Sequence, residues 1–485
     1  MKEAYDLLYN LGEIWREENT IEKEIKKGDR KGETDKKVLM PSVSEAGNNI
    51  RKAFYFTFIG RGLTTDTSHL YIYHYDLGYY IASDDLLRKI ILKFDIRLTS
   101  TRIQNEIKTF LRTVTKIKTP FNRYDIIPVQ NSLFNIRTKQ LEPFNPNYAI
   151  TSKIKTAYNP TIKKPILNGW FDFDEWLNSL ACGDEEIVTL LWQVLNEAIN
   201  PNRTRKKIVI MLGEGNNGKG TFQALLEGLI GRDNISNLKP DQFAKDFYTQ
   251  ALDGKTCNIG DDISSKYLDE VSDLMSVVSG DPIQVNRKGK NTIEATYKLL
   301  CIFSANEMPN ARNKTQGWYR RLCIVPFNAD FNGQKERPEI KDEFMKNKEL
   351  MEYVLFRILN MNDFEKFIEV KSIKPMLEDY KNNNDFILTW VNSFYIPNGW
   401  HEINHVPIFI ARNKLKEFVE DLGIDRPQLG NFGTRLIKIL EKETANKYKA
   451  SNGTVSPLYY DALDPHGFQR ERISKGGVWE IKKKG

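Results

Sequence analysis

The chain has 485 residues, 40% hydrophobic and 28% charged, and reads as a soluble, globular protein of roughly three or four domains. Lys and Arg number 71 and Asp and Glu 64, a net +7 mild enough that its distribution matters more than its total. No apolar run approaches the roughly 18 residues of a membrane helix, which excludes a helical membrane spanner and leaves no membrane partner. The start, MKEAYDLLYN, carries acids where a secretory signal needs an apolar core. Cysteines 182, 257, 301 and 323 form no C-x-x-C pair, so neither a disulfide scaffold nor a cysteine zinc site is expected, and a reducing cytoplasm fits.

In chain order, residues 2–25 predict one helix, and the charged stretch KKGDRKGETDKK (26–37) predicts a mobile linker, giving a first segment of 1–50. From Ala53 the texture changes. FYFTFIG (54–60) and LYIYHYD (70–76) are aromatic and β-branched, as strands are, and 84–94 and 100–114 have helical spacing with Ser100 as N-cap. This predicts an α+β domain over 51–165. Residues 171–199 predict two short helices, with Asp172 and Asp174 as N-terminal helix charge. Alternating strands and helices then predict an α/β domain over 166–340, a helical connector over 341–395 and a small module over 396–485.

The strongest local signal is KKIVIMLGEGNNGKGTFQALLEGLIG (206–231). IVIML suits a buried parallel strand, and the stretch after the loop suits a helix. Between them lie Gly213, Glu214, Gly215, Asn216, Asn217, Gly218, Lys219, Gly220 and Thr221, with Gly213, Gly218 and Lys219 at the G-x-x-x-x-G-K spacing of a Walker A loop. Such glycines let backbone N–H groups curl around phosphate, the helix N-terminus adds its dipole, and the lysine neutralises the β/γ oxygens. The Ser or Thr expected after the lysine is Gly220, so Mg²⁺ must draw on Thr221, on phosphate and water, or on downstream acids. A small nucleotide kinase also uses G-K-G-T, but near its N-terminus and in a much shorter chain.

Asp261 and Asp262 come after a strand-like segment 42 residues beyond Lys219, where one acid would hold Mg²⁺ and the other orient a water. Asn306 ends the apolar run YKLLCIFSA, in position to meet a γ-phosphate. GDPIQVNRKGKNTIEAT (280–296) predicts a hairpin with Arg287, Lys288 and Lys290 near its tip, a cluster that repels itself unless an anion such as a phosphate backbone meets it. Arg320 and Arg321 precede another strand and are candidates for an arginine finger.

Together these residues resemble superfamily 3 helicases of the phage/plasmid and poxvirus primase-helicase type. Lys219 to Asn306 spans 87 residues and Lys219 to Arg321 spans 102, with the order loop, acidic pair, basic hairpin, Asn strand and arginine pair. The resemblance covers 206–327 strongly and 70–165 more weakly, and the layout is similar to replication helicases of staphylococcal pathogenicity islands. It implies an AAA+-like P-loop core that assembles as a ring, usually hexameric, with ATP and Mg²⁺ between subunits and single-stranded DNA in the channel. Carried over, Lys219 holds phosphate, Asp261 and Asp262 serve Mg²⁺ and water, and Asn306 senses the γ-phosphate. Arg320 or Arg321 then acts in trans, and Lys288 and Lys290 face DNA. No D-x-D plus His strand set supports a primase in this chain, so a separate primase or polymerase would be a partner.

HEINH (401–405) fits H-E-x-x-H, but IPNG before it and VP after it leave too little room for the helix that zinc needs. Residues 411–423 and 426–443 predict two helices and GGVWEIKKK (476–484) a strand, an order that suggests a winged helix. Residues 411–485 hold 15 Lys/Arg and 10 Asp/Glu, so most of the chain's excess charge sits here; Arg426, Arg435, Lys438, Lys442, Lys447 and Lys449 are candidates to face duplex DNA. The expectation is an ATP-dependent replicative helicase or initiator of a mobile element, acting on single-stranded and forked or origin DNA. The alternative is an origin-binding, ATP-switched ring loader that does not unwind.

Overall fold

The computed structural model describes residues 1–25, 32, 34–60, 69–263, 270–288, 290–309, 316–333, 337–384, 386–403, 405–421, 432–453 and 478–483. The chain divides into two units, residues 1–309 with 320–370, and residues 310–319 with 371–485.

The first unit begins with helix Lys2–Glu18, whose Leu8 and Trp15 enter one core with Ala46, Ile50, Phe54, Ile90, Phe94, Ile107 and Leu111. The first helix therefore belongs to the same packed body as the strands and helices over 43–118. Helix Val43–Ala53 opens with a capping box, Ser42 accepting from the Glu45 backbone N–H while the Glu45 carboxylate accepts from the Ser42 N–H. Strands Tyr79–Ile81, Tyr71–His74, Phe56–Ile59 and Ile117–Lys118 form a four-stranded sheet in that order. Helices Asp84–Phe94 and Thr101–Val114 match the predicted spans closely, and Ser100 is the N-cap position but makes no side-chain cap. The charged stretch predicted as a linker contributes a hairpin instead: Thr34–Val38 pairs with Thr20–Glu24, with residues 26–31 and 33 outside the described part. Glu22 opposite Lys36 and Lys23 opposite Asp35 supply complementary cross-strand charges.

Residues 120–160 form a small three-stranded sheet (Ile126–Pro128, Leu133–Asn135, Gln140–Glu142) and a strap that reaches the helix Lys219–Ile230. Lys155 N–H donates to the Ile230 carbonyl and Thr156 Oγ1 to the Leu229 carbonyl, 2.9 and 2.8 Å, so the strap ties the C-terminal end of that helix. Helices Phe173–Leu180 and Glu185–Ala198 come next; Asp172 caps the first, accepting from the Asp174 and Glu175 N–H groups.

The centre of the unit is a five-stranded sheet in the order Ile235–Ser236, Cys257–Gly260, Leu300–Ala305, Ile208–Leu212, Leu322–Pro326. All its neighbours are parallel. Parallel strands are covered on both faces, which is why these segments are continuous apolar runs with almost no exposed residue. Cys257, Cys301 and Cys323 are buried in three of these strands, and burial raises their thiols, Cys323 to about 12. Helix Lys348–Leu359 belongs to this unit and not to a connector.

The second unit has its own core, with Trp390, Tyr395, Ile410, Leu415, Val419, Leu436 and Leu440 among its buried residues. Helices Ile408–Asp421 and Phe432–Thr444 accompany an antiparallel sheet ordered His405–Pro407, Val478–Lys483, Tyr448–Gly453. Within HEINH, His401 lies on the 3-10 turn Trp400–Glu402 and position 405 starts a strand, so the two histidines do not share a helix.

Candidate functional site

Strand register aligns the candidate residues. Leu212 pairs with Ala305 and with Pro326, so Gly213, Asn306 and Phe327 leave the sheet side by side at its carboxyl edge. Gly260 pairs with Phe303, which brings Asp261 and Asp262 to the same edge beside Ser304. Open parallel sheets take ligands at this edge, in the crevice beyond the strand ends.

The loop after Ile208–Leu212 is shaped by close approaches. A Cβ on Gly213 would lie 2.3 Å from the Phe327 carbonyl oxygen. Gly218 caps helix Lys219–Ile230 with φ +90°, a left-handed conformation, and a Cβ there would lie 2.4 Å from Leu180 Cδ2. Buried Asn217 braces the loop, its Nδ2 donating to the Phe327 carbonyl at 2.9 Å, while Asn216 Nδ2 donates to Asn332 Oδ1 at 3.1 Å. Glu214 and Gly215 are exposed, and Gly220 and Thr221 form the half-buried first turn. Lys219 folds back over the loop, Nζ donating to the carbonyls of Gly213 (2.5 Å) and Glu214 (2.9 Å) and to Asn217 Oδ1 (3.2 Å). Burial lowers its ammonium, opposed by the negative charges of Asp261 and Asp262.

Asp261 Oδ1 accepts from Ser304 Oγ (2.5 Å) and Gln223 Nε2 (3.2 Å). The same Ser304 Oγ accepts from the Asp262 N–H at 2.9 Å. Burial alone would raise the Asp261 carboxyl, but the bonds from Ser304, Gln223 and the Asp262 backbone, with the charge of Lys341, hold it below its ordinary value. Asp262 has φ +45°, and its carbonyl accepts from Lys239 Nζ at 3.1 Å. Asn306 is exposed next to the loop's start, where the Gly213 N–H donates to the Ala305 carbonyl.

The arginine pair sits at the opposite edge. Leu322 pairs with Ile208 at the amino end of both strands, and the Ile208 N–H donates to the Arg321 carbonyl. A five-residue strand at about 3.3 Å per residue puts roughly 16 Å between this edge and the loop. Arg321 Nε and Nη2 donate to Ser279 Oγ at 2.9 and 2.7 Å, and Arg320 is exposed.

Strands Pro282–Arg287 and Lys290–Thr296 pair as a hairpin with Arg287 opposite Lys290. Lys288 is exposed at the tip, and the Lys290 side chain lies outside the described part. Arg287 is half-buried near Asp253, whose carboxyl burial raises and whose Oδ1 accepts from Tyr297 OH at 2.5 Å. In the second unit, Arg435 is half-buried and Lys438 exposed, on the helix whose other face buries Phe432, Leu436 and Leu440. Arg426 lies outside the described residues.

Sequence reasoning missed Ser304, Gln223 and Lys341. Gln223 was within reach of it, four residues after Lys219 on the same helix face. Ser304 and Lys341 carried no local signal. Among the described residues no cluster of three His, Cys, Asp or Glu is arranged to hold a metal unaided, and no helix is long and apolar enough to cross a membrane.

Residues 9–182 match the family described as D5 N terminal like, and residues 211–321 match a family of unknown function, DUF5906. Over 178 residues, 34% of the chain, there is 24% identity to "Putative helicase 121R" of Invertebrate iridescent virus 3. The chain spans about a fifth (19%) of that relative's length. Two solved structures of the NrS-1 C terminal region in apo form are similar at 13% and 14% identity, with TM-scores of 0.46 and 0.48. They cover 92% and 90% of this chain and 100% and 97% of their own. The chain is a mixed α/β protein whose N-terminal part carries a D5-like segment and which shares a stretch with a viral protein described as a helicase.

Proposed function

We propose that this chain is an ATP-dependent DNA helicase or initiator serving the replication of a mobile element, working as a ring on single-stranded DNA. The observation that carries the reading is the carboxyl edge of the parallel sheet, where the Gly213–Lys219 loop, the Asp261–Asp262 pair and Asn306 emerge side by side. The loop fits phosphate: two glycines are held where a Cβ would collide, and the helix N-terminus lies directly behind. Lys219 would exchange its carbonyl partners for β/γ oxygens. Mg²⁺ keeps several waters and takes one or two carboxylates beside substrate phosphates, so Asp261 and Asp262 suit it without a full protein cage, with Thr221 the nearest hydroxyl to the Gly220 position. When bound, the ion neutralises charge on the transferring phosphate.

The D5-like match over 9–182 and the stretch shared with a viral helicase support a replication role. The position of Arg320 and Arg321 supports a ring. At the far edge of the sheet they are too distant to reach this chain's own loop, so an arginine finger would have to serve a neighbouring copy. We extend the reading to an AAA+-like core, a winged-helix module in the second unit, and DNA contacts through Lys288, Lys290 and Lys438.

The test is ATP hydrolysis and displacement of a strand from forked DNA by wild type and Lys219→Ala. The variant should lose both activities by two orders of magnitude or so, with an unchanged melting temperature, because the lysine meets phosphate and not the core. Unimpaired hydrolysis in Lys219→Ala sinks the nucleotide site. Hydrolysis stimulated by DNA without any displacement favours the ring loader.

A further inference from the structure

The helix behind the phosphate loop carries Gly220, Ala224 and Gly228 at intervals of four, one small-residue face running from its first turn to its last. The segment Pro338–Lys346 lies along that face. At one end a Cβ on Gly228 would lie 1.9 Å from the Met345 carbonyl oxygen, so backbone packs on backbone there, with Phe344 and Met345 buried. At the other end a Cβ on Gly220 would lie 3.4 Å from Lys341 Nζ. The buried end anchors the segment, and the exposed end delivers an ammonium to the first turn of the loop helix.

That is a poor place for a cation by itself. The N-terminus of a helix is its positive end, and Lys219 is already there. Among the described residues Lys341 makes no ion pair, and the acid its charge acts on, Asp261, is already hydrogen-bonded by Ser304 and Gln223. Two lysines and a helix dipole at the same end of one helix are favourable together once an anion of several charges lies among them.

We propose that Lys341 is a second phosphate-binding cation of this site, contacting the terminal phosphate of a bound nucleoside triphosphate beside Gly220 at the first turn of the loop helix. The inference rests on the nucleotide reading above and deepens it. A Cβ at position 220 would meet this ammonium at van der Waals distance, so the ammonium and the position of the usual hydroxyl are neighbours. The site exchanges a hydroxyl aimed at the metal for a positive charge aimed at phosphate.

The experiment measures binding of fluorescently labelled ATPγS and ADP, each with Mg²⁺, to wild type, Lys341→Ala, Lys341→Arg and Lys219→Ala. Lys341→Ala should weaken the triphosphate by about tenfold or more and the diphosphate by about twofold or less. Lys341→Arg should keep most of the triphosphate affinity. Lys341 is exposed, so the variant's melting temperature should equal that of wild type. Loss of both nucleotides alike, or of neither, in Lys341→Ala overturns the inference while the nucleotide site stands. If wild type binds neither nucleotide, or Lys219→Ala binds both as wild type does, the nucleotide reading fails and this inference with it.

Discussion

At the residue scale, one hydroxyl organises the acidic pair. Ser304 Oγ donates to the Asp261 carboxylate and accepts the Asp262 N–H, which fixes the direction of both residues as they leave the sheet. Its effect has a sign that can be measured. The Asp261 carboxyl is held below its ordinary value, so its charge is present above the usual carboxylate range near pH 4 and is lost only as pH falls through the lowered value. Ser304→Ala removes one of the bonds that favour the charged form, and the pKa must rise toward the ordinary value. The expected outcome is a fall in ATP hydrolysis of roughly tenfold or less, discounted for the exposure of Asp261, with the acid limb of the pH–rate profile moved upward. A profile that starts below pH 4 and runs to pH 8 checks it; an unmoved acid limb would mean that Ser304 does not govern Asp261.

At the element scale, the hairpin of Pro282–Arg287 and Lys290–Thr296 holds its charges in two environments. Arg287 is half-buried toward Asp253 and Tyr297, whereas Lys288 stands exposed at the tip. The hairpin is a two-stranded sheet separate from the central one, and Lys288 is exposed at its tip, so the tip can change without disturbing the strands that carry the loop, the acids and Asn306. Lys288→Ala with Lys290→Ala should leave hydrolysis without DNA near wild type while abolishing its stimulation by single strands and abolishing strand displacement. Salt dependence of DNA binding should fall by roughly 0.7 log–log units for each phosphate contact removed. Unwinding at the wild-type rate would assign the hairpin to solvent and move the DNA grip elsewhere. Arg287→Ala, by contrast, should lower the melting temperature, since it strips a charge from beside the Asp253 carboxylate.

At the scale of the whole molecule, the two edges of the parallel sheet carry different groups. The carboxyl edge gathers the loop, the acids and Asn306, and the amino edge carries Arg320 and Arg321. If activity needs both edges, they must come from different copies. Mixing Lys219→Ala chains with Arg320→Ala or Arg321→Ala chains should restore hydrolysis that neither variant shows alone, because some junctions then pair an intact loop with an intact arginine. Hydrolysis measured across mixing ratios checks this; no recovery at any ratio would leave the arginines as local structure, with Arg321 bound to Ser279.

Much of the secondary structure was legible in the sequence, for a local reason. An apolar run, a glycine loop and a helical repeat can be read over 208–230 because a parallel strand must be apolar throughout and the tight loop after it needs glycine where a Cβ would collide. The hairpin of residues 20–38 was not legible, because its strands are held by charges that become complementary only once paired, Glu22 with Lys36 and Lys23 with Asp35. Nor does periodicity say which core a helix joins, so Lys2–Glu18 and Lys348–Leu359 took their places only in the folded chain. The sequence by itself determined the chemistry on offer: a lysine after a glycine loop, a pair of acids, an asparagine, two arginines and a basic hairpin in a set order. Tertiary structure alone decided their sides. Parallel register brought loop, acids and asparagine to one edge and sent the arginines to the other, and the close contact of Gly228 with the Met345 backbone carried Lys341 to the loop. Chain order records which groups exist, whereas distance between groups far apart in sequence is set by strand register and backbone packing, which act only after the sheet has formed.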